Sequence, residues 1–273
     1  MPVRKDDSGR RWVEMEVLVP GTPEQVWHAI ATGAGTSAWF TPTTVEEKLG
    51  GSIEFDFGGG ATQHATVTGW DPPRRFAYEE QEWSRTVSPG PLATEITVTA
   101  RSGDRCVIRM VHSLFTEKDD WDDELESFEQ GWPGFFEVLR LHLRDFAGAP
   151  SASARAMATV NGDITAAWSK LAAALGISGV HAGEKCQSPV GTPVFAGTVQ
   201  FIQQQATVRE VMIRLDRPAA GIAVIGGCPT GDTSQVMVGI YFYGDGADET
   251  AEAHEPRWTA WLTELFGADA VAT

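Results

Sequence analysis

Val19-Pro-Gly-Thr-Pro-Glu-Gln-Val-Trp27 is the stretch from which the fold is read. Arg11 to Val19, which leads into it, has the period of two of a half-buried strand. Thr22-Pro-Glu-Gln25 then opens a helix, with Thr22 as the cap, Pro23 at the first helical position and Gln25 three residues after the cap. The spacing predicts a short helix from Pro23 to Ile30. The same passage recurs as Val160-Asn-Gly-Asp-Ile-Thr-Ala-Ala-Trp168 at a constant offset of 141 residues (160 − 19 and 168 − 27). Trp132-Pro-Gly-Phe-Phe-Glu-Val-Leu139 matches Trp258-Thr-Ala-Trp-Leu-Thr-Glu-Leu265 at an offset of 126, so the second copy is 15 residues shorter. Two matches in the same order, each at a helix, predict a tandem duplication with a shorter second copy.

Outward from the first match, Gly33 to Phe40 reads as a second short helix. Strands of period two follow at Val45 to Lys48, Ser52 to Phe57, Gln63 to Trp70, Arg75 to Trp83, Leu92 to Ala100 and Arg105 to Leu114. From Asp119 the period changes: Leu125, Phe128, Trp132, Phe135, Phe136, Leu139, Leu143 and Phe146 are spaced for one buried helical stripe, which Pro133 is expected to kink or restart. This order predicts an α+β helix-grip, a curved antiparallel sheet around a long C-terminal helix. Gly148-Ala-Pro-Ser-Ala-Ser-Ala154 reads as a small-residue linker. The division expected is a disordered N-terminus at 1–10, a helix-grip domain at 11–147, a linker at 148–153 and a degenerate copy at 154–273.

In that copy the first strand is expected at Ala154 to Val160, and the helix at Ile164 to Leu175 with Asp163 as cap. Further strands are expected at Val194 to Gln203, Val208 to Leu215, Gly221 to Gly226 and Gln235 to Tyr243, with a closing helix from Pro256 to Phe266. Strands are missing relative to a complete copy, so this half is expected to close no cavity of its own and to be marginal in isolation.

Several short motifs carry a family resemblance: Leu49-Gly-Gly-Ser, Gly69-Trp-Asp-Pro-Pro-Arg-Arg-Phe-Ala-Tyr78, Thr94-Glu-Ile-Thr-Val98, His112-Ser, and Ser127-Phe-Glu-Gln-Gly-Trp132 followed by Phe136 and Leu139. Over about residues 11 to 147 the sequence resembles the SRPBCC superfamily, START-like helix-grip proteins of which the closest in pattern is the bacterial-type branch named after the activator of the Hsp90 ATPase. The resemblance implies a cavity between sheet and helix that takes a hydrophobic small molecule, lipid-like or polyketide-like. It also implies two alternatives, a cyclase or dehydratase working by acid-base chemistry, and a protein-interaction module.

Composition narrows the partners. A chain with 42% hydrophobic residues folds, and its net charge of −16 repels phosphate backbones and anionic lipid surfaces, so neither nucleic acid nor membrane is expected as a partner. Cys106, Cys186 and Cys228 are far apart and odd in number, which suits a reducing cytosol. No apolar run approaches the ~20 residues of a membrane span, and the charged start lacks a signal-like stretch, so a cytoplasmic location is expected. No histidine has a partner at metal-ligand spacing and no Gly-x-Ser-x-Gly is present, so no metal, no cofactor and no covalent nucleophile are predicted. The acidic run Glu117 to Glu126 reads as a solvated helix start. A homodimer or a protein partner would meet the chain through its second domain.

Strand parity points to the interior. Ile53, Phe55 and Phe57 share one face, as do Phe76 and Tyr78, Ile96 and Val98, and Cys106, Ile108, Met110, His112 and Leu114. The predicted ligand set is Phe55, Phe57, Tyr78, Ile96, Ile108, Met110 and His112 from the sheet, with Trp132, Phe136 and Leu139 from the helix. Catalysis, if present, falls to His112, Glu80 or Tyr78, the residues of this set that can move a proton. The competing expectations are a solid core around His112 and a Glu80 that has already reached the solvated rim. Arg109, on the opposite parity, is expected outside.

Overall fold

A computed structural model describes residues 3–83, 90–116 and 121–267, excluding the side chains at 122–124 and 126–130. Most of the acidic run and Phe128 therefore lie outside the described residues. The chain divides into two compact units, Met1–Gly148 and Ala149–Thr273.

In the first unit, β1 (Arg4–Lys5) and β2 (Arg10–Pro20) lead into α1 (Pro23–Ala31) and α2 (Gly33–Ser37). A meander follows: β3 (Thr43–Val45), β4 (Ser52–Asp56), β5 (Thr62–Asp71), β6 (Arg75–Glu80), β7 (Leu92–Arg101) and β8 (Arg105–Phe115), before α3 (Asp122–Asp145). The sheet order is β1-β2-β8-β7-β6-β5-β4-β3, antiparallel throughout. With α3 packed on β2 and α1, this is the helix-grip. The Thr22 capping box forms as predicted, Thr22 Oγ1 accepting from Gln25 N and Gln25 Oε1 accepting from Thr22 N.

The second unit repeats the plan. β9 (Ser151–Asn161), α4 (Ile164–Ala174), β10 (Lys185–Gln187), β11 (Ala196–Gln204), β12 (Arg209–Arg217), β13 (Gly221–Thr230), β14 (Thr233–Tyr243) and α5 (Ala247–Phe266) give a sheet ordered β10-β11-β12-β13-β14-β9. The 141-residue offset holds in three dimensions: Val19 and Val160 are both buried strand residues, and Trp27 and Trp168 are buried in α1 and α4. Even the turn lock is shared. Cys106 Sγ donates to Gly21 O at 3.4 Å, and at the same place in the second unit Ser234 Oγ donates to Gly162 O at 2.8 Å.

Five expectations need correction. The N-terminus at 1–10 is not loose throughout: Arg4–Lys5 pairs with Arg11 and Trp12, because Asp6 Oδ1 accepts from Ser8 N and Arg10 N and Gly9 (φ 79°) completes the reversal. The linker is shorter than 148–153, since β9 begins at Ser151; the small residues there are strand positions where Ala154 and Ala156 let α5 lie close. Pro133 does not break α3, and Pro256 sits inside α5, which starts at Ala247 after the left-handed Gly246. As expected, strands are missing: β1 and β3 have no counterpart among the described residues of the second unit, although Lys185–Gln187 is a strand the sequence hid. Finally, this copy has a core of its own, centred on Trp168, Phe195, Phe242, Trp258, Leu262 and Phe266.

The short helix α2 is set by close packing. Thr32 Oγ1 accepts from Gly35 N at 3.0 Å and donates to His28 O at 2.8 Å, folding α2 back on the end of α1. A Cβ on Gly35 would stand 1.9 Å from the His28 carbonyl oxygen. Gly35→Ala is expected to cost about 1–3 kcal/mol or more through forced backbone shift, read as a lower urea midpoint at unchanged slope. An unchanged midpoint would mean that α2 does not pack on α1.

Candidate functional site

Alternation carries Phe76, Tyr78 and Glu80 of β6, Thr94 and Ile96 of β7, and Met110 and His112 of β8 to the buried inner face of the first sheet. Cross-strand register then does the chemistry: Tyr78 lies opposite Thr94, and Thr94 opposite His112. Thr94 Oγ1 and His112 Nδ1 share a 2.8 Å hydrogen bond, and Tyr78 stands beside Thr94 on the neighbouring strand. Three polar side chains thus form one row across three strands. Glu80 lies two residues beyond Tyr78 on the same face.

Burial dominates their ionisation. It pushes the Glu80 carboxyl up to about 7 and the His112 imidazole down to about 4, so both favour their neutral forms. Burial, followed by the Glu80 charge, holds the Tyr78 phenol above its ordinary value, with the neighbouring Thr94 side chain working against them. The rim reading for Glu80 is corrected: its strand still faces the interior there, and the residue is only 8% exposed. Arg109 is on the outer face, as its parity requires, and its guanidinium makes paired bonds of 2.8 and 2.9 Å to Glu14.

Rings cover the row. Trp132 of α3 lies near-parallel to Phe40, His112 and Phe136, at centroid distances of 5.3, 5.6 and 5.5 Å. Phe40 meets Phe55, Phe57 and Phe135 edge-on. Beside these rings is a gap of about 20 Å³, room for about one water molecule. Of the predicted ligand set, Phe55, Tyr78, Ile96, Met110 and Trp132 line it. His112 lies against Trp132, Phe57 and Phe136 join the ring cluster, and Ile108 and Leu139 are buried away from the gap.

Sequence reasoning missed the other wall. Thr36, Trp39 and Phe40 follow from the α2 segment and Thr43 and Val45 from β3, with Ile30 of α1 beside them. Trp39 is fixed there by its Nε1 donating to Ala29 O at 2.8 Å. The adjacent aromatic pair after a glycine-rich helix start was the available signal. Among the described residues no group of three or more His, Cys, Asp or Glu could hold a metal ion, and no helix is long and apolar enough to cross a membrane.

The second unit gives these positions an internal comparison. Register places Ile240 where the first unit has His112, since Ala154 faces Ile240 as Val13 faces His112. Continuing across the sheet, Ala223 stands for Thr94, Ile213 for Tyr78 and Leu215 for Glu80. All four are buried and apolar. The fold is therefore built without the polar row in one copy and with it in the other.

The two titrations oppose each other. Folded Glu80 binds its proton up to about pH 7 against an ordinary 4.5, so its contribution weakens the fold as pH rises through that window. Folded His112 releases its proton near 4 against 6.5, so its contribution strengthens the fold as pH rises between them. Glu80→Gln removes the first slope, and its stability relative to wild type is expected to grow from pH 4.5 to 7 by on the order of 3 kcal/mol. Urea unfolding across that range checks this; a difference independent of pH would place Glu80 in water.

Comparison with known proteins gives a family match that falls in the first unit. The family model described as activator of Hsp90 ATPase homolog 1-like protein matches residues 20–144. No curated protein sequence matches the chain significantly. Among solved structures, protein MLL2253 from Mesorhizobium loti is 21% identical, with 49% of this chain and 97% of that one covered at a TM-score of 0.45. The Aha1 dimer from Colwellia psychrerythraea is 17% identical, covering 49% and 96% at 0.42. DynU16, described as a protein in the dynemicin biosynthetic locus, is 16% identical, covering 94% and 97% at 0.42. Residues 20–144 are an activator-of-Hsp90-ATPase-homolog-1-like domain of the SRPBCC superfamily.

Proposed function

We propose that the protein binds a hydrophobic small molecule in the interior of its first domain, with the Tyr78–Thr94–His112 row as its polar anchor. The observation that carries this reading is the contrast between the copies: the same buried positions are polar in the first and Ile213, Ala223 and Ile240 in the second. Burying polar groups costs stability unless they are bonded, and the second copy reaches the same fold without them. A mostly apolar wall with a few convergent polar groups is the usual make-up of a small-molecule site. None of the residues lining the gap is charged, which favours an uncharged ligand.

Glu80 supports a second reading, acid-base catalysis on the bound molecule. Its carboxyl, brought to about 7 by burial, lies beside the proton-bearing Tyr78 and suits proton transfer near neutral pH. Glu80→Gln and His112→Gln separate the two: binding persists in a carrier, and turnover is lost in an enzyme that uses Glu80 or His112.

The primary test installs the second copy's residues in the first, as Thr94→Ala with His112→Ile. Removing both partners of the Thr94–His112 hydrogen bond orphans neither of them, so thermal melting is expected to remain cooperative. Affinity for an apolar metabolite, found by screening the wild type through tryptophan fluorescence, is expected to fall at least about tenfold, equivalent to 1.4 kcal/mol. Undiminished binding by a folded double variant would remove the row from the site.

A further inference from the structure

We propose that Trp132 is a built-in plug whose indole occupies the place of the ligand, and that the ligand is a flat, uncharged, fused-ring aromatic molecule. This rests on the binding reading of the first domain above and names the class of molecule it takes.

Three rings, those of Phe40, His112 and Phe136, lie within 23–29° of parallel to the Trp132 indole, at centroid distances of 5.3–5.6 Å. Such a slot recognises a flat fused ring, because the present occupant is one. The gap beside it holds about one water, so a ligand enters only if something leaves. Of the two wall tryptophans, Trp132 is the one that no hydrogen bond secures. It is half-buried, and no hydrogen bond holds its Nε1 among the described residues, whereas Trp39 across the gap is 3% exposed and anchored to Ala29 O.

The backbone around Trp132 is suited to release. Gly131-Trp132-Pro133-Gly134 lies inside α3, where both glycines weaken the helix and Pro133 has no N–H for the carbonyl four residues earlier. A Cβ on Gly131 would meet nothing within 4 Å among the described residues. The second copy has the same tryptophan without the flanking glycines, although Pro256 lies two residues before it and its Nε1 is unpaired too. Trp258 is flanked by Arg257, Thr259 and Ala260, is 1% exposed, and is fixed in its core against Phe195 and Trp261. A site open for only part of the time binds with an affinity reduced by that fraction, so removing the plug should tighten binding.

The experiment uses the full chain and the neutral fluorophore N-phenyl-1-naphthylamine, with 2-naphthol and 1-decanol as competitors. Trp132→Ala is expected to bind the fluorophore at least about tenfold more tightly than wild type. Gly131→Ala, which stiffens the helix, is expected to slow association several-fold. 2-Naphthol should displace the probe at far lower concentration than 1-decanol. Equal or weaker binding by Trp132→Ala, with wild type binding, would make the indole part of the binding wall and overturn the plug. Unchanged association by Gly131→Ala would likewise overturn it, and this variant decides the matter if thermal melting shows Trp132→Ala unfolded. Equal competition by decanol would overturn the aromatic class. Binding of the probe by none of the proteins would overturn the binding reading itself.

Discussion

The pairing of β2 with β8 is the constraint from which the first domain follows. It runs without a break from Arg10 opposite Phe115 to Pro20 opposite Arg105, joining the first long strand to the last of the meander. A chain that must return to its own beginning has to curve its sheet, and the concave face needs a cover, which α3 supplies. The pairing also fixes parity, because every second residue of β8 then faces α3. The β9 and β14 pairing, from Ser151 opposite Tyr243 to Asn161 opposite Thr233, imposes the same logic on the second copy. One register therefore sets both the fold and the direction in which His112 points.

Within that frame the polar row is a choice and not a requirement. A buried imidazole and hydroxyl hold each other by a hydrogen bond beside a buried phenol, which offsets part of their desolvation without making them better core residues than isoleucine and alanine. Glu80 adds a carboxyl to the same face with no hydrogen-bond partner among the described residues, a poor core residue by any measure. Groups that stability does not call for, gathered on one face beneath aromatic rings, are what a site for recognition or proton transfer looks like in physical terms.

Much of this was legible in the sequence because alternation is legible. The strands from Ser52 to Leu114 show a period of two, so the inward positions of Phe55, Tyr78, Met110 and His112 follow from it. What was hidden lacked a period. A five-residue helix such as Gly33–Ser37 is shorter than two turns, and its contribution to the site comes through the Gly35 contact and the Trp39 hydrogen bond, neither of which has a sequence pattern. The alanines of β9 look like a linker because a strand closely packed under a helix needs small side chains. Pro256 looks like a helix start because proline usually is one, yet the charged turns before it are helical too.

The span between the first helix and the strand that pairs with the long second strand of each meander differs between the copies. In the first unit residues 32–51 fill it and supply α2 and β3; in the second, residues 175–184 fill it and among them neither a helix nor a strand is described. Trp39, Phe40, Thr36, Thr43 and Val45 all come from that longer span. Without it, a row of polar groups would have no opposite wall to hold a guest against them. The copy with the shorter span is also the copy whose row is aliphatic, so length and interior chemistry vary together, and a graft carrying the first half's interior into the second would need to transfer the ceiling along with the floor.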